Sequence, residues 1–122
     1  MTTTSFTRGI DHVGLTVRKL AQTRDFFLNC LGWAQVGENP TYPAAFVSDG
    51  YVVLTLWEVK NEQNPVGFDR KSNIGLHHLA MRAESEQALT EIAERVAAWP
   101  GTRIEFFARD AGCRTQEAHH DL

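Results

Sequence analysis

The sequence has no excess of positive charge. Its 12 Lys and Arg are outnumbered by 15 Asp and Glu, a net charge of −3. It therefore lacks the basic footprint by which proteins hold nucleic acid or an anionic membrane surface. It also lacks any apolar run near the ~18 residues that cross a bilayer. The first residues, MTTTSFTRGID, contain no apolar h-region of a secretory signal. Cysteine is scarce. Cys30 and Cys113 stand alone and form no C-x-x-C, which excludes a zinc knuckle and a dithiol redox motif. Two separated thiols fit a reducing compartment, so the expectation is a cytoplasmic protein, although a Cys30–Cys113 disulfide stays open. No Gly-rich phosphate loop, nucleophile–base pair or aromatic–basic stripe is visible. What is present is ordinary globular composition, 43% hydrophobic and 22% charged over 122 residues, enough for one folded domain with its own core.

The chain repeats itself. Ile10-Asp11-His12-Val13-Gly14-Leu15-Thr16-Val17 and Leu76-His77-His78-Leu79-Ala80-Met81-Arg82-Ala83 each place a histidine before a large, a small and another large apolar residue. Each is followed by a helix-like stretch and then a glycine that opens a new strand. Two copies are too few for a solenoid; they point to a duplicated βα unit.

In the first copy, residues 10–17 alternate as a strand with one buried face. Residues 20–31 carry Leu20, Phe27 and Leu31 at helical spacing, widened by Phe26 and Leu28, and Gly32 stops that helix. Trp33–Val36 reads as a short strand and Asn39–Pro43 as a turn. Ala44–Ser48 and Tyr51–Val59 form a hairpin, with Asp49-Gly50 as a two-residue turn. The polar stretch 60–73 connects the halves. In the second copy, Leu76–Ala83 is a strand and Ser85 an N-cap. Leu89, Ile92, Ala93 and Val96 stripe a helix that ends at Trp99-Pro100-Gly101, and Thr102–Phe107 is a strand. Residues 108–122 show no alternation, so the two further strands that symmetry demands are not expected there.

Strand parity locates the polar candidates. Val13, Leu15 and Val17 share the face that packs on the helix, which puts His12 on the other beside Gly14. By the same rule Leu79 and Met81 are the packed face of the second copy, and His78 lies opposite, beside Ala80 and Arg82. His77 then points away from His78. Glu58 ends a strand that is apolar on both faces and hence central. A partly desolvated carboxylate there needs a partner: Arg82, Arg103 or a metal ion. Arg82 could hold an anionic substrate or pair with Glu58 or Glu84. Trp33, Tyr42, Phe46 and Trp57 could line a pocket, though aromatics at strand spacing more often form core. Two imidazoles and a carboxylate converging with an open position would suit Fe, Mn, Co, Ni or Zn.

The His12 strand, the helix ending at Leu31-Gly32-Trp33, the strand ending in Glu58, and Gly75-Leu76-His77-His78-Leu79-Ala80 together resemble the vicinal oxygen chelate superfamily, the group of glyoxalase I, bleomycin-resistance proteins and extradiol dioxygenases. The likeness covers about residues 8–107. It implies an α+β fold of paired βαβββ modules whose sheets curl into a cup: module one about 8–59, a linker 60–73, module two about 74–107 apparently lacking its last strands, and an atypical tail 108–122, all within a single domain. It also implies a metal held by His12, Glu58 and His78. Glu58 is the sole named catalytic base and Arg82 a substrate-binding residue. The ligand from the second module's last strand has no counterpart. Glu117, His119 and His120 are the ligand-type residues of the tail, at a spacing the superfamily does not use.

The function so implied is a divalent-metal-dependent lyase, isomerase or dioxygenase acting on a small oxygen-chelating substrate. A non-catalytic drug- or small-molecule-sequestering protein is the alternative. A truncated copy without an intact site is the third reading. Bare sheet edges tend to be paired, so a homodimer is expected, with no nucleic acid or membrane as partner.

Overall fold

The computed structural model describes residues 4–60, 63–106 and 117–120. The chain divides into two compact units, Met1–Glu58 and Val59–Leu122.

The first unit is a βαβββ module. Strand β1 (His12–Val17) is followed by helix α1 (Leu20–Asp25), which widens into a π-helical turn over Phe26–Cys30, and then by β2 (Ala34–Asn39), β3 (Ala44–Ser48) and β4 (Val53–Glu58). The strands form one sheet in the order β1-β4-β3-β2. β1 and β4 run parallel, and β4–β3 and β3–β2 antiparallel. The crossover through α1 therefore carries the chain from one edge of the sheet to the other, and the β2–β3–β4 meander returns it to the flank of β1.

Alternation decides which face is buried. Leu54 and Leu56 of β4 and Val47 of β3 are fully buried, with Ala45 and Val17 nearly so, on the side where α1 meets β3 and β4. Each large aliphatic side chain buried there contributes roughly 1.5–3 kcal/mol. α1 and its π turn bring Leu20, Thr23, Phe26, Phe27 and Cys30 to that core. Thr23 and Cys30 thus take buried places expected of longer apolar residues, while Leu31 is half-buried. The wide turn, with Leu31 N–H donating to the Phe26 carbonyl at 3.2 Å, rotates the stripe by one position. Gly32 ends the helix as expected, at φ +76°, which lets Trp33 N–H reach back to the Phe27 carbonyl at 2.9 Å.

The β3–β4 hairpin is present, but Ser48 pairs with Val53, so its loop has four residues rather than two. Asp49 Oδ1 accepts from both Tyr51 N–H and Val52 N–H (2.9 and 3.1 Å). That side-chain turn holds Tyr51 and Val52 out of the ladder. β2 is longer than expected and carries a bulge between Gln35 and Gly37.

In the second unit, helix α2 (Glu86–Ala98) is capped by Ser85, whose Oγ accepts from Ala88 N–H at 3.0 Å. It packs against β5 (Thr102–Phe106). Two expectations change here. Leu76–Ala83 is not a strand: in the first unit its counterpart β1 is laddered to β4, and among the described residues the second unit has no β4 equivalent to pair with. Conversely, the tail supplies one short strand, β6 (Glu117–His120), antiparallel to β5. Backbone pairing forms it without any hydrophobic alternation. Cys113 lies outside the described residues. No described helix is long and apolar enough to cross a membrane.

Candidate functional site

The face of the first sheet turned away from α1 is built from the other parity. β1 contributes His12, Gly14 and Thr16; β4 contributes Val53, Thr55 and Trp57; β3 contributes Phe46. The register aligns His12 with Val53, Gly14 with Thr55 and Phe46 with Thr55. Together with Asp11 these residues, Thr16 excepted, border an open hollow of about 500 Å³. Gly14 keeps the floor low, because a Cβ there would lie 3.1 Å from Thr55 Oγ1.

The polar groups are linked in pairs. His12 Nδ1 lies 2.8 Å from Asp11 Oδ2. An ionised carboxylate only accepts, so Nδ1 carries the proton of this bond. Trp57 Nε1–H donates to Thr55 Oγ1 at 3.0 Å, and the Thr55 hydroxyl donates weakly to the Val13 carbonyl at 3.5 Å. The aromatics stand together: Phe46 and Trp57 ring centroids are 5.9 Å apart, and Tyr42 meets Trp57 edge-on at 5.0 Å. Phe46 and Trp57 are half-buried and so serve as wall rather than core. Trp33 instead packs edge-on against Phe27 at 5.1 Å.

A profile of the Glyoxalase/Bleomycin resistance protein/Dioxygenase superfamily matches residues 9–105. The chain belongs to this superfamily. It is 34% identical over 91 residues to the uncharacterized protein YqjC of Bacillus subtilis (strain 168), 67% of this chain and 65% of that protein; the chain thus spans just under two-thirds of this curated relative. The glyoxylase/bleomycin resistance protein/dioxygenase domain from Frankia sp. EAN1pec superposes with a TM-score of 0.68 at 27% identity, covering 81% of this chain and 73% of that one. The fold is also that of the Listeria monocytogenes fosfomycin resistance protein FosX, whose E126Q mutant was crystallised with Mn(II) and 1S,2S-dihydroxypropylphosphonic acid (TM-score 0.59, 19% identity, 82% of this chain and 70% of that one).

Within the first unit of this superfamily member, two of the expected ligands, His12 and Glu58, are not brought together. Glu58 pairs with Val17, whereas His12 pairs with Val53. The two are five positions apart, roughly 16 Å along the strands. The odd interval turns Glu58 to the helix-covered face and His12 to the open one. The residue paired with His12 on that face is Val53, and Thr55 lies one place further along, beside Gly14. His78 is exposed in the second unit, where its Nδ1 lies 2.8 Å from His77 Nδ1 and the two rings meet edge-on at 5.0 Å. The expectation that His77 and His78 point apart fails because parity has no force where no strand forms. Arg82 is exposed in the same irregular segment. Among the described residues no three His, Cys, Asp or Glu side chains cluster as a metal site.

Thr55 was missed by sequence reasoning, which weighed only metal-ligand and charged types. Its signal was available in its parity with Trp57 and its place in a central strand.

Proposed function

We propose that this superfamily member binds a small molecule on the open face of the first unit, with an apolar body against Phe46 and Trp57 and a polar end at His12. The observation that supports the reading is the grouping of two half-buried aromatic rings, one hydroxyl and one oriented imidazole on a sheet face that no element of its own unit covers. Small-molecule sites are largely apolar with a few convergent polar groups, and this face has that composition. A shared fold alone would not carry the proposal, since folds of this kind host many chemistries. The test is a fluorescence titration with the neutral apolar probe N-phenyl-1-naphthylamine. Saturable binding that weakens about tenfold in Phe46→Ala, the cost of removing a stacked ring, supports the reading. Equal binding in that variant, with the fold intact by circular dichroism, rejects it.

A divalent-metal-dependent lyase, isomerase or dioxygenase is the second reading. The Asp11–His12 pair favours it, since a carboxylate that fixes one imidazole nitrogen leaves the other set to ligate. The donors available to it are His12 and His78. Within the first unit the residue paired with His12 is Val53, which is no ligand. Equilibrium dialysis against Mn(II), Ni(II) and Zn(II) separates the readings. Stoichiometric uptake lost in both His12→Ala and His78→Ala supports a metal enzyme; probe binding that persists after chelation supports the first reading. On either reading a homodimer is proposed from the bare edge of β1.

A further inference from the structure

Among the described residues of the first unit, those that line the hollow on the open face are rich in acceptors and include no Lys or Arg. We infer that its ligand is an organic cation, an ammonium or guanidinium group carried on an apolar body. The inference rests on the small-molecule reading above and names the class of molecule bound.

A count of hydrogen-bonding capacity leads to it. Asp11 carries the one formal charge at the rim, and as a carboxylate it only accepts. It engages His12 Nδ1 at 2.8 Å. Trp57 has a single donor and gives it to Thr55 Oγ1 at 3.0 Å. Thr55 has a single proton and directs it to the Val13 carbonyl, so the hydroxyl retains only accepting capacity. Gly14, Val53 and Phe46 offer a ligand no side-chain polar group. Among the described residues that line the space, all of the first unit, none is Lys or Arg. Apart from the His12 ring, every side-chain valence these residues leave for a ligand is therefore an acceptor.

An anion entering here would lose its water, find no side-chain donor outside the His12 ring and meet the Asp11 charge. A cation meets the opposite case. Phe46 and Trp57, whose planes are 54° apart, both line the hollow, and the negative faces of such rings attract ammonium and guanidinium groups. Asp11 is 96% exposed, so water screens its charge; it steers the cation, and the aromatic wall holds it.

The experiment displaces N-phenyl-1-naphthylamine with three benzyl-bodied competitors at constant ionic strength: benzyltrimethylammonium, benzyl alcohol and phenylacetate. The ammonium is expected to displace the probe at about tenfold lower concentration than phenylacetate, with the alcohol between. That preference is expected to collapse in Trp57→Leu, and in Phe46→Leu should Trp57→Leu fail to fold. Equal displacement by all three, or a phenylacetate preference, overturns the inference while leaving the small-molecule reading in place. Probe binding indifferent to Phe46 and Trp57 overturns both.

Discussion

Trp57 and Thr55 stand two residues apart on one face of β4, and the indole N–H of the first donates to the hydroxyl of the second at 3.0 Å. This bond fixes the indole ring over the hollow and spends its only donor. Replacing Thr55 with Val keeps the volume and removes the acceptor. The half-buried indole N–H is then left without its partner, which costs about 1 kcal/mol. Urea unfolding is expected to show that loss, with a shift in tryptophan emission.

Gly37 and Phe46 are cross-strand partners on β2 and β3. A Cβ at residue 37 would sit 2.8 Å from Phe46 Cδ2, closer than carbon atoms pack. Gly37→Ala therefore forces the ring to move. The expected outcome is destabilisation of about 1–3 kcal/mol, the usual cost of overpacking, together with weaker probe binding, read by thermal melting and by titration.

Glu58 tests the metal reading from the opposite direction. Its side chain shares the helix-covered face of β4, five register positions from His12. Glu58→Gln is expected to leave metal uptake at the open face unchanged in equilibrium dialysis. A loss of uptake matching that of His12→Ala would show that the carboxylate reaches the same centre.

Ser85 caps α2 through Ala88 N–H. Ser85→Ala is expected to cost about 1 kcal/mol, and Ser85→Asp to retain most of it. Far-ultraviolet circular dichroism during urea unfolding measures both.

The first module was legible in the sequence almost throughout. His12–Val17, Ala44–Ser48 and the strand ending at Glu58 alternate strongly, and Gly32 and Asp49-Gly50 mark their own turns. Where the reading failed, the cause was pairing rather than propensity. Leu76–Ala83 has a strand's pattern, but a strand exists only with a partner, and the sequence does not announce that the partner is missing. Glu117–His120 has no such pattern and pairs with β5 nonetheless. The candidate site was half legible. Parity placed His12 and Gly14 correctly on the open face. The same parity, carried through β4, separates Glu58 from His12 once the parallel register is known, and that register cannot be read from either strand alone.

A dimer is expected from the regular backbone of β1 at the edge of its sheet, since unpaired edges recruit partners. Sedimentation equilibrium checks it, and a melting temperature that rises with protein concentration would accompany it. A sharply cooperative melt of a monomer, independent of concentration, would argue the other way.

The two margins of that sheet are not alike. Val36 sits in the bulge of β2 without a counterpart on β3, which twists the strand and spoils its outer side as a template. Lateral addition at β1 but not at β2 would give a closed pair instead of a fibre.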